Sequence, residues 1–216
     1  MCEIAILDPQ RYNTFQMADT AMSVFMAMGD SLGLVAVDEG PERYRYQVFK
    51  ALEPQQQEVS DWLAANVSDD TQRLLIHGRL ATHGAETLDN CHPLRIECDE
   101  CSGEFVMHNG VIYQNERLRE IHEANGHEYQ TNVDSETIAH GLGGVPEFGG
   151  VHDTPYSHER AFIIGSEKEV YVYTSGVYDL TQDMRMSLGY REFGPQREHD
   201  TTTYQEAKMV HHTEAN

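Results

Sequence analysis

The order in which apolar runs follow one another constrains this chain most. Cys2–Leu7 is a short apolar run closed by Asp8-Pro9, the pattern of a buried strand. Arg11–Met28 then places Phe15, Met22, Phe25 and Met26 near helical spacing. Gly33–Val37, Tyr44–Phe49 and Leu74–His77 read as strands, with a helix over Gln55–Ala65 between the last two. Phe105–His108 and Val111–Tyr113 flank Asn109-Gly110, which predicts a tight hairpin turn. A helix is expected from Glu116 to about Asn125, capped by Asn115 and stopped by Gly126. A second helix is expected to start near Asp134, with Glu136 in its first turn. Ala161–Ile164 and Glu169–Thr174 predict a closing hairpin around Gly165-Ser166. Strands, then helices, then strands argue α+β rather than alternating βαβ units.

The 216 residues carry 36 Asp and Glu against 15 Lys and Arg, a formal charge of -21. Only Lys50, Lys168 and Lys208 are lysines. Such a surface repels phosphate backbones, so no nucleic-acid partner is expected. It also repels itself unless salt screens it, and at molar salt the screening length falls to about 3 Å. A salt-rich cytosol, in a halophile or its virus, is the expected setting. No apolar run reaches the ~18 residues of a membrane span, and Met1-Cys2-Glu3-Ile4 has no basic, secretory-type start. A cytoplasmic protein without a membrane partner follows as the expectation. One domain is expected over 1–194. Residues 195–216 are polar and aperiodic, which predicts a loose tail. Gly141–His158, rich in Gly and Pro, predicts a surface loop.

Four segments carry candidate chemistry. Trimming of Met1 would leave Cys2 with a free α-amine, so one residue would offer both nucleophile and base; most such cysteines only pack. His77–Gly84 ends a strand in Arg79 and a Thr82-His83-Gly84 turn. An arginine there can grip a carboxylate bidentately or simply form a surface ion pair. Asn109 and Gly110 can aim an amide and a backbone N–H at one oxyanion, or be a plain turn. Asp134, opening a helix, can face an ammonium or cap the helix. Cys98 and Cys101 form a lone CxxC with Cys91 upstream. These three are a weak candidate metal set, since no second CxxC or HxxxH follows at a zinc-finger distance. No metal and no cofactor is expected.

The ordered set of Cys2, Arg79 with Thr82-His83-Gly84, His108-Asn109-Gly110, a helix, and Asp134-Ser135-Glu136 resembles the class II glutamine amidotransferases. Asn90-Cys91-His92-Pro93-Leu94 is similar to that family's NxHP segment. The likeness runs from Gly78 to His140 with Cys2 as a separate anchor, and is greatest to the glutaminase domain of glucosamine-6-phosphate synthases. It implies an N-terminal-nucleophile hydrolase: a four-layer α/β/β/α sandwich of two antiparallel sheets. It also implies roles. Cys2 would attack the glutamine side-chain amide, with its own α-amine as base, and release ammonia from a γ-glutamyl thioester. Asn109 and Gly110 would form the oxyanion hole. Arg79 would hold the substrate carboxylate, with Thr82 and His83 shaping that pocket, and Asp134 would hold the ammonium.

Two departures stand beside the nucleophile and the arginine. Glu3 replaces the family's usual Gly, where it would either crowd the thiol or face away from it, and Leu80 replaces a frequent Trp. Ile96–Gly103 looks like an insertion. The family pairs this domain with an ammonia-consuming synthase, for which 216 residues leave no room. The expected function is therefore a glutaminase subunit that takes L-glutamine and feeds a separate synthase. The alternatives are a stand-alone γ-glutamyl or amide hydrolase, and an inactive binding or structural module of the same fold.

Overall fold

A computed structural model describes residues 2–81, 84–99, 101, 103–112, 114–141, 161–166, 170–174, 184–187 and 205–208. The first sheet holds β1 (Cys2–Leu7), β2 (Ser31–Glu39), β3 (Tyr44–Ala51), β4 (Thr71–Arg79) and β9 (Met184–Ser187), in the order β3-β2-β4-β1-β9. The second holds β5 (Leu94–Arg95), β6 (Gly103–Asn109), β7 (Ala161–Ser166), β8 (Val170–Thr174) and β10 (Gln205–Lys208), in the order β10-β8-β7-β6-β5. Among the described residues every pairing is antiparallel. The helices are α1 (Thr14–Met28), α2 (Gln56–Asn66), α3 (Asn115–Ala124) and α4 (Glu136–Gly141).

Three apolar clusters show how these layers stack. Ile4, Ile6, Val35, Val37 and Leu75 of the first sheet meet Phe105, Met107 and Ile163 of the second. On the other face of the first sheet, Ala5, Leu7, Leu32, Leu34, Leu74 and Ile76 meet Met17, Ala18, Ala21 and Val24 of α1 and Val59 and Leu63 of α2. Behind the second sheet, Leu94 and Val106 pack with Ile112, Val133, Ile138 and Ala139 around α4. The result is the expected α/β/β/α sandwich. Strands buried on both faces need no polar alternation, which is why β1 and β4 read as continuous apolar runs.

Local chemistry fixes the element ends. The Asn13 carboxamide accepts from Gln16 N at 2.9 Å while Gln16 Oε1 accepts from Asn13 N at 3.0 Å, a reciprocal cap on α1. Gly29, at φ +98°, ends that helix in the left-handed region. A Cβ on Gly78 would stand 2.7 Å from Val24 O, so this glycine lets α1 lie close on β4.

Two sequence expectations are corrected. Asn109-Gly110 does not turn a hairpin: β6 pairs with β5 and β7, and Val111–Ile112 adds no strand to it. The Ile112 N–H is instead taken by the Asp134 carboxylate at 2.7 Å, so the chain after β6 bends toward α4. The cap of α3 lies at Gln114, with no side-chain bond, rather than at Asn115. The segment 142–158, expected as a loop, lies outside the described residues. Within 195–216, β10 pairs with β8.

Candidate functional site

The β1–β4 register sets Cys2 directly opposite Arg79, and Ile4 opposite His77. Residues facing each other across an antiparallel pair share a face, and alternate residues change face. Ile4 lies in the cluster between the sheets, so Cys2, Arg79 and His77 share that inner face. On β6, Phe105 and Met107 point to the same interior, which places Asn109 with them. His77 Nε2 donates to His108 O at 2.9 Å and ties the two sheets together next to Asn109.

Glu3 falls on the opposite face. It pairs with Gly78, whose missing Cβ is directed at α1. The carboxylate that replaces the family's glycine is therefore buried toward the helix layer and does not crowd the thiol. Leu80, just beyond β4, is exposed.

Electrostatics link the same residues. Burial pushes the Cys2 thiol above its ordinary value, opposed by a hydrogen bond from the Leu80 backbone and by the Arg79 charge, and reinforced by Asp134. Arg79 and Asp134, one cation and one anion, thus both act on the nucleophile candidate. Arg79 is itself buried, and its guanidinium donates to Ala85 O at 3.4 Å. Asn90 Nδ2 also donates to Ala85 O, at 2.9 Å, which pins the 84–90 loop beside it. Gly84, at φ +75°, leaves room for Asn90 and Val133, so this loop meets the segment that carries Asp134. Thr82 and His83 lie outside the described residues.

Asp134 accepts from Ile112 N, and His108 Nδ1 stands 2.9 Å from Ser135 Oγ. These two bonds hold the Asn109-Gly110 corner against the start of α4. Asn109 is buried, and among the described residues its Oδ1 has no hydrogen-bond partner. Leaving such an atom unpaired costs about 1–3 kcal/mol.

Sequence reasoning named the histidines beneath this site only as members of their motifs and gave them no role. His77 and His92 stack with ring centroids 4.2 Å apart. Both nitrogens of His92, Nδ1 of His77 and Nε2 of His108 have no hydrogen-bond partner among the described residues. Burial lowers His77 to about 3, His108 to about 4, and His92 well below its ordinary value. All three are therefore neutral at pH 7.

The candidate metal set is rearranged. The Cys91 thiol donates to Leu32 O and His92 O, each at 3.4 Å, within the core. Cys98 and Cys101 lie instead with His127 and His140. The spacing of those histidines matches no zinc-finger pattern, so only the fold could join them to the CxxC.

A glutamine–fructose-6-phosphate aminotransferase of Idiomarina loihiensis is 44% identical to this chain over 84 residues. This chain is a homologue of the class II glutamine amidotransferases. The matched segment is 39% of the present chain and 13% of that relative. The enzyme of the same name from Rhizobium meliloti is 33% identical over 111 residues, 51% of this chain and 16% of that one. The chain thus spans only a small part of the curated relatives it matches. No family model matches it.

Two solved structures share the fold. Glutamine phosphoribosylpyrophosphate amidotransferase from B. subtilis aligns over 80% of this chain and 36% of its own, at 19% identity and a TM-score of 0.50. A structure described as the allosteric regulatory enzyme of purine biosynthesis aligns over 81% and 37%, at 20% identity and a TM-score of 0.56. The chain therefore has the amidotransferase fold, with the candidate nucleophile on β1, between β4 and β9.

Proposed function

We propose that this chain hydrolyses the side-chain amide of L-glutamine and supplies the ammonia to a separate synthase. The observation that carries the reading is the register of β1 on β4, which sets Cys2 opposite Arg79 on the face that Asn109 shares. A zwitterionic amino acid needs one cation and one anion to hold it. Arg79 is assigned to the carboxylate and Asp134 to the ammonium. Thr82 and His83 are assigned to the wall of that pocket on the family resemblance.

The chemistry follows from burial. A buried thiol with a raised pKa needs a base beside it. With Met1 removed, the α-amine of Cys2 takes the thiol proton. The sulfur attacks the amide carbon, and Asn109 and the Gly110 N–H receive the developing oxyanion. The C–N bond breaks and the amine proton leaves with ammonia. Water then attacks the γ-glutamyl thioester, giving glutamate and restoring the thiol.

The curated relatives are named for transfer from glutamine to a sugar phosphate, which supports ammonia delivery here. Among the described residues no helix is long and apolar enough to cross a membrane. The charge of -21 with three lysines supports a salt-rich cytoplasm as the working environment.

The test is glutamate and ammonia release from L-glutamine at low and at multimolar KCl, with the mass of the mature N-terminus. Equimolar release that rises with salt, from a chain lacking Met1, is expected. A chain that has lost Met1, keeps its fold and releases neither product overturns the reading. Asn109→Ala is expected to lower kcat by about 100- to 1000-fold with little change in KM, because its amide acts on charge that develops only in the transition state. Steady-state kinetics on L-glutamine checks this.

A further inference from the structure

We propose that Cys98, Cys101, His127 and His140 bind one zinc ion in a closed, structural site. This inference stands apart from the glutaminase reading. It concerns the outer, helix-covered face of the second sheet, whereas Cys2 lies on the inner face of the first.

One ligand atom from each of the four residues lies within 4.8 Å of all the others. Cys98 Sγ is 3.6 Å from His127 Nδ1, Cys101 Sγ is 3.3 Å from the same nitrogen, and Cys101 Sγ is 3.2 Å from His140 Nδ1. A tetrahedral zinc with Zn–S of about 2.3 Å and Zn–N of about 2.0–2.1 Å has S···N edges of about 3.6 Å. Three of the edges are therefore already near the length that a zinc ion requires.

Hydrogen bonding alone does not explain the group. Cys101 has one S–H but stands against two imidazole nitrogens. The other nitrogen of His140, Nε2, faces Glu136 Oε1 at 3.5 Å, with both side chains fully buried. Donation from Nε2–H to that carboxylate leaves Nδ1 as a bare lone pair directed at the cysteines. This is the carboxylate–histidine–metal arrangement that fixes tautomer and ring orientation in zinc sites. Glu136 is itself held by Gln130 N at 2.6 Å and by Thr131 N and Oγ1, each at 2.7 Å.

Backbone and packing prepare the rest. Cys101 N donates to Cys98 O at 3.0 Å, closing the turn that brings the two sulfurs to one side. Ile96, Val133, Ile138 and Leu118 surround the group with apolar atoms. Two thiolates and two neutral imidazoles are a donor set that suits zinc, and four protein ligands leave no open position. Loading releases the two thiol protons, and two thiolates balance the dication.

The fold has a use for this cross-link. Within the described residues α4 runs over Glu136–Gly141 and carries His140. A zinc ion would join it to the β5–β6 connection and to the turn after α3.

The test begins with the full chain, purified reduced and without chelator, for metal content and cobalt substitution. One zinc per chain is expected. Cobalt should give the strong visible absorption of a tetrahedral site, with a thiolate charge-transfer band. Cys98→Ser should lower zinc affinity by more than tenfold, and Glu136→Gln by about 10- to 100-fold through the orientation of His140. Cys91→Ser should keep the full metal content. His127→Cys should keep one cobalt and gain charge-transfer intensity, which reads the site even if the serine variant does not fold. A folded wild-type chain that holds no zinc and takes up neither zinc nor cobalt overturns the proposal. So does loss of metal from Cys91→Ser with retention in Cys98→Ser.

Discussion

Alanine in place of Cys2 is expected to lower glutamate release from L-glutamine by about 10⁴-fold or more while the fold persists. The thiol is the only atom lost, and it sits at the start of β1 rather than in the centre of an apolar cluster. Its removal deletes one small buried group, a change of about 1 kcal/mol in a core. The catalytic cost is far larger, because in the proposed mechanism the sulfur forms the covalent bond that divides the reaction into two easier steps. A γ-electrophilic glutamine analogue should add its mass to the wild-type N-terminal peptide and not to that of the variant. Circular dichroism and a melting curve confirm that the sheets survive. Undiminished turnover in Cys2→Ala would place the nucleophile elsewhere and remove the proposed mechanism.

Acid is the second large perturbation. His77 and His108 are fully buried and neutral, with pKa values of about 3 and 4. In the unfolded chain a histidine titrates near 6.5. Between about pH 6.5 and 4 the unfolded state therefore binds more protons, and stability falls as pH falls through that window. At pH 5 each of the two costs about 2 kcal/mol relative to pH 7.5, or about 4 kcal/mol together. His92 is shifted in the same direction. The carboxylate excess acts the other way, since protonation relieves self-repulsion, but carboxylates titrate mostly below pH 5. The histidines dominate the upper part of the window. Urea unfolding at pH 7.5 and pH 5 measures the loss, and an unchanged midpoint would contradict it. Gln in place of His108 should flatten the dependence.

Much of the first sheet and its helices was legible in the sequence. Burial of a strand on both faces leaves an unbroken apolar run, and β1, β2 and β4 each show one. The α1 helix announced itself through the spacing of Phe15, Met22, Phe25 and Met26, although Phe15 and Met26 are exposed and the buried stripe is Met17, Ala18, Ala21 and Val24. The Asn109-Gly110 turn misled because local propensity was overruled from a distance. Asp134, more than twenty residues on, captures the Ile112 N–H that a hairpin would have used.

The candidate site divides the same way. Cys2, Arg79, Asn109 and Asp134 were visible as residue types in order, yet only the strand register brings Cys2 and Arg79 to one face and turns Glu3 to the other. The CxxC was visible and its partners were not. His127 follows a glycine after one helix and His140 sits near the end of another, so no short pattern contains all four ligands. The three histidines stood inside the quoted motifs, but their neutrality was not legible, since burial depends on the whole sandwich.

The place of β1 also bears on how the nucleophile comes into being. Its neighbours are β4 and β9, and Glu3 aligns with Ser187. During synthesis, residues 2–7 have left the ribosome long before 184–187 are made. Contacts between positions so distant in sequence form slowly, because loop closure must precede them. The strand that carries Cys2 therefore completes its pairing with β9 late. Under the proposed mechanism, which requires loss of Met1, order of manufacture would thus separate exposure of the amine from closure of the sheet around it.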